Sequence, residues 1–218
     1  MNSRRLIFFS LIFLLLFQTE YVFSQVQSKS EINRIKEKKI MSITAYSGGQ
    51  KTNYSEYNRD GQVLKEIIYI QEKELSLLQY EYDENNKRIE ASLEIKGINT
   101  ITLLYFFYNE NMQINKVKRE SNDGSIDNYS VYKYDSSGNP ILRIDYNSKD
   151  KITSSYKYIY SSDNFQTGEE HYDSKSNLEY LYIFTLNSNG EITKRVKYKA
   201  NNKKEYEIYY TYKYEYYD

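Results

Sequence analysis

The amino-acid sequence predicts an all-β fold, an antiparallel meander of tandem 26-residue β-hairpin repeats that forms one curved or spiral sheet of roughly a dozen strands. Three observations predict it. Polar turns recur at a constant spacing, the segments between them alternate apolar and polar side chains as half-buried strands do, and Tyr supplies 27 of the 218 residues. Tyr is among the residues most enriched in strands. With a single Pro, no Cys and no Trp, the composition argues against a helical or disulfide-stapled domain.

The first 24 residues predict a secretory signal peptide. Arg4 and Arg5 precede an apolar run over residues 6–17, and the residues that follow suit cleavage before Gln25. This run of 12 residues is too short for a membrane-spanning helix, which needs about 20. An uncleaved anchor is the alternative. We therefore expect an exported protein that is periplasmic, cell-surface or secreted, and not a lipoprotein because the chain has no Cys.

The remaining chain predicts one domain behind a short lead-in. Residues 25–39 are polar, with Ile32 and Ile35 at helical spacing, and predict a short helix or a disordered stalk. Residues 40–218 contain no linker and predict a single Tyr-rich β-hairpin repeat domain. Basic and acidic residues number 30 each, so the charge balance predicts neither nucleic-acid binding nor attraction to an anionic membrane. Strands that span an outer membrane are a weaker alternative, because the face that would meet lipid carries Lys, Glu and Gln.

Each repeat unit is built around a residue that ends one strand, here called the anchor. The residue after it is Asn, Asp or Ser, whose side chain can bond back to the backbone and open a turn. The fourth residue after it is Gly or Asn in five of six units, the types that tolerate positive φ. Met112 is the exception, and we expect Asn111 to take that role after a one-residue shift. The anchors, spaced by 25 residues once and by 26 thereafter, are Tyr57, Tyr82, Tyr108, Tyr134, Tyr160, Leu186 and Tyr212.

An apolar residue restarts the strand after each loop, and a second polar turn, such as that at 147–151 or 173–177, completes the unit. Each unit is thus predicted to contain two strands. An incoming hairpin around residues 41–54, with its turn at Gly48 and Gly49, and a closing strand near 206–216 complete the sheet. The predicted restart residues are Val63, Ile89, Ile114, Ile141, Phe165 and Ile192.

Aromatic side chains share one face of the predicted sheet, because alternate residues of a strand point to the same side and the rings keep the parity of their anchor. This face is the candidate ligand-binding surface, where Tyr rings can stack on sugar rings or receive an extended peptide. The alternative, favoured by β propensity alone, is that the rings are the sheet's own core. The candidate binding residues are Tyr132, Tyr134, Tyr156, Tyr158 and Tyr160.

No catalytic residue, metal or cofactor is predicted. The lone histidine, His171, shares its strand face with Glu169 but not with Glu170, and one imidazole with one carboxylate is too small a set for a metal ion. We expect His171 to lie on a solvated strand or bulge. Asp83 and Asp135 open turns, and the chain has no Cys or Ser motif of an activated nucleophile. The protein is therefore predicted not to be an enzyme.

Two loops resemble a known repeat. The sequence YKYDSSGN at 132–139, and the weaker YEYDENNK at 80–87, are similar to the YxYDxxGN core of YD repeats in the RHS family of bacterial surface and toxin-carrying proteins. Only these two units carry the Tyr-Asp pair at the anchor, and the 26-residue period is longer than that of the usual YD repeat. The resemblance implies a short, divergent member of an exported bacterial family whose hairpins form one continuous, strongly curved sheet. It supplies no catalytic residue.

The sequence thus predicts a non-catalytic exported repeat protein, a protein-interaction or structural module of the cell envelope whose partner is an envelope or extracellular protein. The alternative is a carbohydrate-binding module that uses the Tyr-lined face. The two hypotheses differ in where the tyrosines lie. Tyrosine rings packed under other parts of the chain would argue against glycan binding, whereas rings that line an open groove would support it.

Overall fold

A computed structural model of the protein describes residues 26–27, 29–97, 100–188 and 190–218, so the predicted signal peptide lies outside the described residues. One helix, α1 (Lys29–Glu37), precedes fifteen strands that form a single antiparallel sheet. The predicted all-β meander is therefore confirmed, with more strands than expected. Within the described ranges, no helix is both long and apolar enough to cross a membrane. The strands are β1 (Ile40–Ser47), β2 (Gln50–Tyr57), β3 (Val63–Ile70), β4 (Lys73–Tyr82), β5 (Arg88–Ile95), β6 (Ile101–Tyr108), β7 (Ile114–Ser121), β8 (Asp127–Tyr134), β9 (Pro140–Asn147), β10 (Ile152–Tyr160), β11 (Gln166–Asp173), β12 (Leu178–Leu186), β13 (Ile192–Lys199), β14 (Lys204–Tyr209) and β15 (Thr211–Tyr216).

The last segment of the chain joins the two ends of the sheet. Each strand from β1 to β14 pairs with its neighbours in sequence, except that β14 pairs only with β13 and β15 pairs with β1. Lys194 of β13 lies opposite Tyr209 of β14, and Ala45 of β1 lies opposite Tyr212 of β15. Because only Tyr210 separates β14 from β15, one extended segment bridges both edges. The sheet is therefore nearly closed and barrel-like, with an inner and an outer face.

The predicted loop chemistry is confirmed in atomic detail. In the loop after Tyr134, Asp135 Oδ1 accepts hydrogen bonds from the backbone N–H of Ser137 at 2.9 Å and of Asn139 at 2.8 Å. The same two bonds form at Asn58, Asp83 and Asn109, and again in the second turns at Asn147 and Asp173.

The expected shift to Asn111 in the loop after Tyr108 is wrong. Met112 itself adopts the left-handed conformation, with φ of 62°. The Asn109 side chain accepts bonds from the N–H groups of Asn111 and Gln113 at 3.0 Å each, which fixes the loop in the same register as its neighbours. The unfavourable φ thus falls on an exposed Met rather than on a shifted Asn.

A β-bulge follows each of these loops and interrupts the strand alternation. In β5, Arg88 pairs with Tyr82 and Glu90 pairs with Glu81, so that Ile89 is the extra residue. Arg88 is 6% exposed and faces inward, whereas Ile89 is 46% exposed. Ile89 and Ile141, two of the predicted restart residues, are the extra residues of their bulges and point outward.

Anchor tyrosines connect consecutive units through a recurring hydrogen bond, here called the tyrosine clasp. The hydroxyl of Tyr82 donates to the Val63 carbonyl at 2.6 Å, that of Tyr108 to Arg88 at 2.8 Å and that of Tyr134 to Ile114 at 2.6 Å; Tyr212 and Ile192 form the same bond. The partners lie 19 or 20 residues apart in sequence.

The clasp is missing in two units. Among the described residues no hydrogen bond joins the Tyr160 hydroxyl to Pro140, its counterpart in the pattern, and the next anchor, Leu186, has no hydroxyl. These two units lie next to each other in the second half of the chain.

The apolar core occupies the inner face of the first half of the sheet. α1 lies against it through Ile35, which is fully buried, as the predicted helical spacing required. Burying such side chains contributes roughly 25 cal/mol per Å² of apolar surface. Members of this cluster are Ile35, Ile40, Ile43, Tyr57, Val63, Leu78, Tyr80, Ala91, Leu93, Leu104, Ile114, Val117 and Tyr132.

Candidate functional site

A cavity of about 290 Å³ lies inside the sheet beneath α1. One wall includes Tyr57 of β2 and Glu66 of β3, and another includes Tyr158 of β10 and Arg195 of β13. These walls face each other because six strands separate β3 from β10 on one side of the nearly closed sheet. Arg34 of α1 contributes to the cover. The cavity borders the two units that lack the tyrosine clasp.

An ion pair holds α1 over the cavity. Arg34 Nη1 donates to Glu191 Oε1 at 2.5 Å, and both side chains are largely buried. Asn187 positions Glu191, since its Oδ1 accepts from the Glu191 N–H at 3.1 Å and its Nδ2 donates to Glu191 Oε2 at 2.6 Å. The loop before β13 therefore fixes the helix to the rim of the sheet.

Glu66 places a carboxyl group on the first wall. Its Oε2 accepts a hydrogen bond from the Tyr80 hydroxyl at 2.5 Å. Burial raises the pKa of Glu66 to about 7, although Tyr80 and Arg88 act in the opposite direction. The group is thus close to half protonated at neutral pH. Perturbed carboxyl groups of this kind concentrate at functional sites.

Arg195 and Tyr158 supply the polar groups of the second wall. The Arg195 guanidinium lies over the Tyr182 ring, 3.6 Å from Cζ to the ring centroid, a cation–π contact. Tyr158 is 8% exposed, and its hydroxyl has no hydrogen-bond partner among the described residues. Burial raises the pKa of Tyr158 well above its ordinary value. An unsatisfied buried hydroxyl costs about 1–3 kcal/mol. Because the Tyr158 oxygen is inaccessible from the cavity, its ring rather than its hydroxyl borders the open space.

The five tyrosines predicted as a binding face all lie on the inner side of the sheet. Tyr132, Tyr156 and Tyr158 are buried, and Tyr134 and Tyr160 are half-buried. Only Tyr158 and Tyr160 reach the cavity. Tyr132 and Tyr134 border a separate cleft at the loop end of the sheet, and Tyr156 packs within the wall. They do not form an open platform, and ligand contact by this set stays a prediction.

A buried polar network stands behind the second wall. Arg143 binds Asp145 through Nε and Nη2 at 2.7 Å each, and Arg119 Nη2 donates to Ser130 Oγ at 2.6 Å. Burial alone would raise the pKa of Asp145, but the two guanidiniums outweigh it and hold the pKa below its ordinary value. Arg143 also lies over the Tyr156 ring at 4.6 Å.

His171 belongs to this network, and the expectation that it is solvated is wrong. It is 3% exposed and lies between Tyr156 and Tyr180, with ring centroids 4.5 and 4.4 Å away. Glu179 Oε2 lies 3.0 Å from Nδ1 without hydrogen-bond geometry. Burial lowers the pKa of His171 to about 4. The ring is therefore neutral near pH 7 and serves as an aromatic layer of the wall. As predicted, Glu169 shares its inward side.

Sequence reasoning missed the charged residues of the inner face. Glu66, Arg143 and Arg195 were not singled out, because simple alternation was counted through the bulges. One signal was available: each of them lies three residues after the first inward residue of its strand, namely Val63, Pro140 and Ile192. A charge at that place in the repeat points inward, not to solvent.

Three solved structures are similar to this chain at low scores. A porin-like protein from Bacteroides uniformis matches 82% of this chain and 97% of its own, with 12% identity and a TM-score of 0.46. The structure of TcdB2-TccC3 matches 71% of this chain and 10% of its own, with 14% identity and a TM-score of 0.35. A DUF1329 family protein from Desulfovibrio piger matches 85% and 90%, with 10% identity and a TM-score of 0.32. No protein-family model and no curated protein matches the sequence. Evidence for function therefore has to come from the chain's own geometry.

Proposed function

We propose that the protein is a non-catalytic binding module of the cell envelope, or of the exterior, that encloses a small polar ligand in the cavity between α1 and the inner face of the sheet. The observation that carries the proposal is the Tyr160 side chain, which borders the cavity and whose hydroxyl does not form the clasp made by four other anchor tyrosines. A ligand in the cavity can form a hydrogen bond with this hydroxyl.

The departure from the repeat supports the same proposal. Four anchor tyrosines use their hydroxyl groups to clasp the preceding unit. Tyr160 and Leu186 do not, and the cavity lies beside them. Functional sites often lack stabilising interactions that the rest of a fold keeps. The missing tyrosine clasp next to a polar cavity fits that pattern.

The non-catalytic part of the proposal rests on how the charged groups are engaged. Arg34 pairs with Glu191, and Glu66 accepts a bond from Tyr80. The described residues that line the cavity include no Cys, His or Lys that could act as an activated nucleophile or as its base. Export is proposed from the N-terminal sequence alone. We further propose that the hairpin units are divergent YD repeats, which the matching loops at Asp83 and Asp135 support.

Native mass spectrometry tests the proposal. The full chain, purified from an exporting bacterial host and sprayed without denaturant, should carry a small molecule that is released on unfolding. Ser55→Phe places a ring in the cavity and should abolish retention. Ser125→Phe, in an exposed turn outside the cavity, is the matched control and should retain it. Equal retention by both variants would contradict the proposal.

A protein partner at the closing segment is the second candidate. β14 pairs only with β13 and β15 only with β1, so each presents one backbone edge that can accept an added strand. Tyr209 and Tyr216 on this segment are each 57% exposed. Co-purification of an envelope protein that is lost with Thr211→Pro, but kept with Tyr209→Ala, would support edge pairing. Loss with neither variant would count against it.

A further inference from the structure

We infer that the ligand of the cavity is a neutral carbohydrate of mono- or disaccharide size. The inference rests on the proposed function, namely that the cavity beneath α1 is a ligand site. Three features of the lining support it: charges that the protein itself compensates, amide and hydroxyl groups on facing walls, and tyrosine rings.

Charges of both signs line the cavity, and the protein engages each of them. Arg34 and Glu191 form an ion pair at 2.5 Å. Glu66 is bound to Tyr80, Arg195 lies on the Tyr182 ring, and Glu31 also has an interaction of its own. The lining holds three carboxyl groups and two guanidinium groups. Because Glu66 is close to half protonated at neutral pH, the net charge is below one unit, which is too small to favour an anion or a cation. A neutral polar ligand fits it better.

Uncharged polar groups approach the cavity from both sides. Asn53 and Ser55 lie on β2, and Gln166 and Tyr158 lie on β11 and β10. Amides and hydroxyls each donate and accept hydrogen bonds. A sugar hydroxyl does both as well, so one such group can bond to the Tyr160 hydroxyl, which also borders the cavity, and at the same time accept a bond from an amide. Fatty acyl chains have no group that does this.

Tyrosine rings in the lining also suit a carbohydrate ligand. Tyr57, Tyr160 and Tyr212 border the cavity, and a Tyr ring combines an apolar face with a polar tip. The apolar faces suit the C–H surface of a pyranose. The volume of about 290 Å³ is near the lower end of ligand sites, about 300–1,000 Å³, which excludes a long glycan chain.

Isothermal titration calorimetry of the full chain tests the inference. The sugar probes are D-glucose, N-acetyl-D-glucosamine, cellobiose and chitobiose; the comparison probes are L-lysine, L-glutamate and hexanoate. We expect saturable binding of at least one sugar at one site per chain. Tyr160→Phe should weaken it by about 3- to 10-fold through loss of one hydrogen bond. Tyr129→Phe, on the outer face where Tyr129 stacks on Tyr146 at 4.8 Å, is the matched control and should leave it unchanged.

The remaining outcomes separate the inference from the proposed function. Binding of a comparison probe, abolished by Ser55→Phe while no sugar binds, overturns the carbohydrate class and keeps the cavity as a site. Sugar binding that is unchanged in both Tyr160→Phe and Ser55→Phe overturns the assignment of the sugar to this cavity. No binding of any probe, together with equal retention of small molecules by wild type and Ser55→Phe in native mass spectrometry, overturns both.

Discussion

The two halves of the inner face differ in chemistry although the same repeat builds both. Inside β1–β8, buried aliphatic side chains form one continuous cluster. In the described part of β9–β15, Pro140 and Val196 are the buried aliphatic residues, and the remaining buried side chains are aromatic or polar. The buried polar or charged residues of this half are Asn139, Arg143, Glu169, His171, Glu191 and Arg195.

The difference shows what the repeat determines and what it leaves open. Loop hydrogen bonds and one bulge per unit recur in both halves, so the backbone is common to them. Side chains on the inner face are then free to vary. The first half uses this freedom for an aliphatic core with α1 against it, and the second for a wall in which arginines lie on aromatic rings. The cavity lies where these two chemistries meet.

The largest expected loss of stability comes from disrupting the buried polar network in the second half of the sheet. Asp145→Ala leaves Arg143 and Arg119 buried without their shared carboxylate, which should destabilise the fold by about 3–5 kcal/mol. Urea unfolding followed by tyrosine fluorescence measures this. Asp127→Ala, at an exposed position of the neighbouring strand, is the control and should change stability by no more than about 0.5 kcal/mol. Equal effects of the two variants would mean that the network does not hold the second half together.

A slightly smaller loss is expected in the apolar half. Leu78 is 1% exposed at the centre of the first cluster, and Leu78→Ala should cost about 2–5 kcal/mol, with a larger cavity giving the higher value. Ile183→Ala, at a residue 45% exposed on β12, is the matched aliphatic truncation in the other half. It should cost well under half as much in the same urea experiment. A larger cost for Ile183 would reverse the comparison between the halves.

The two halves should also respond to pH with opposite sign. The folded-state pKa of Glu66 is raised to about 7, so its contribution to stability is lost as pH rises from about 4.5 to about 7. The folded-state pKa of His171 is lowered to about 4, so its contribution is lost as pH falls from about 6.5 to about 4. Each is worth on the order of 2 kcal/mol across its window.

Two substitutions separate the opposing contributions of Glu66 and His171 to the pH dependence of stability. Glu66→Gln should make stability rise more steeply with pH between pH 4.5 and 7, because only the His171 term remains. His171→Phe should make stability fall with pH in nearly the same interval. The free energy of unfolding in urea at half-unit pH steps measures both. Parallel curves for wild type and Glu66→Gln would show that Glu66 ionises normally.

The repeat could be predicted from local sequence patterns, but the closure of the sheet could not. The Asn and Asp turns and the parity of the rings depend on neighbours a few residues away, so they could be predicted. The pairing of β1 with β15 joins Ala45 to Tyr212, and no local pattern distinguishes β15 from any other strand. The bulges were a second obstacle, since an extra residue after each loop reverses alternation and hides the inward position of Glu66. The cavity depends on both features and could not be predicted from periodicity.

The finest test compares two tyrosine hydroxyls that the sequence placed in one face. Tyr134 clasps the Ile114 carbonyl at 2.6 Å, whereas the Tyr158 hydroxyl is buried without a partner among the described residues. Tyr134→Phe should therefore destabilise the fold by about 1 kcal/mol, while Tyr158→Phe should leave stability unchanged or raise it slightly. Thermal unfolding by circular dichroism in the absence of small molecules measures both. A loss of stability in Tyr158→Phe equal to that in Tyr134→Phe would show that the Tyr158 hydroxyl has a structural partner in the folded protein.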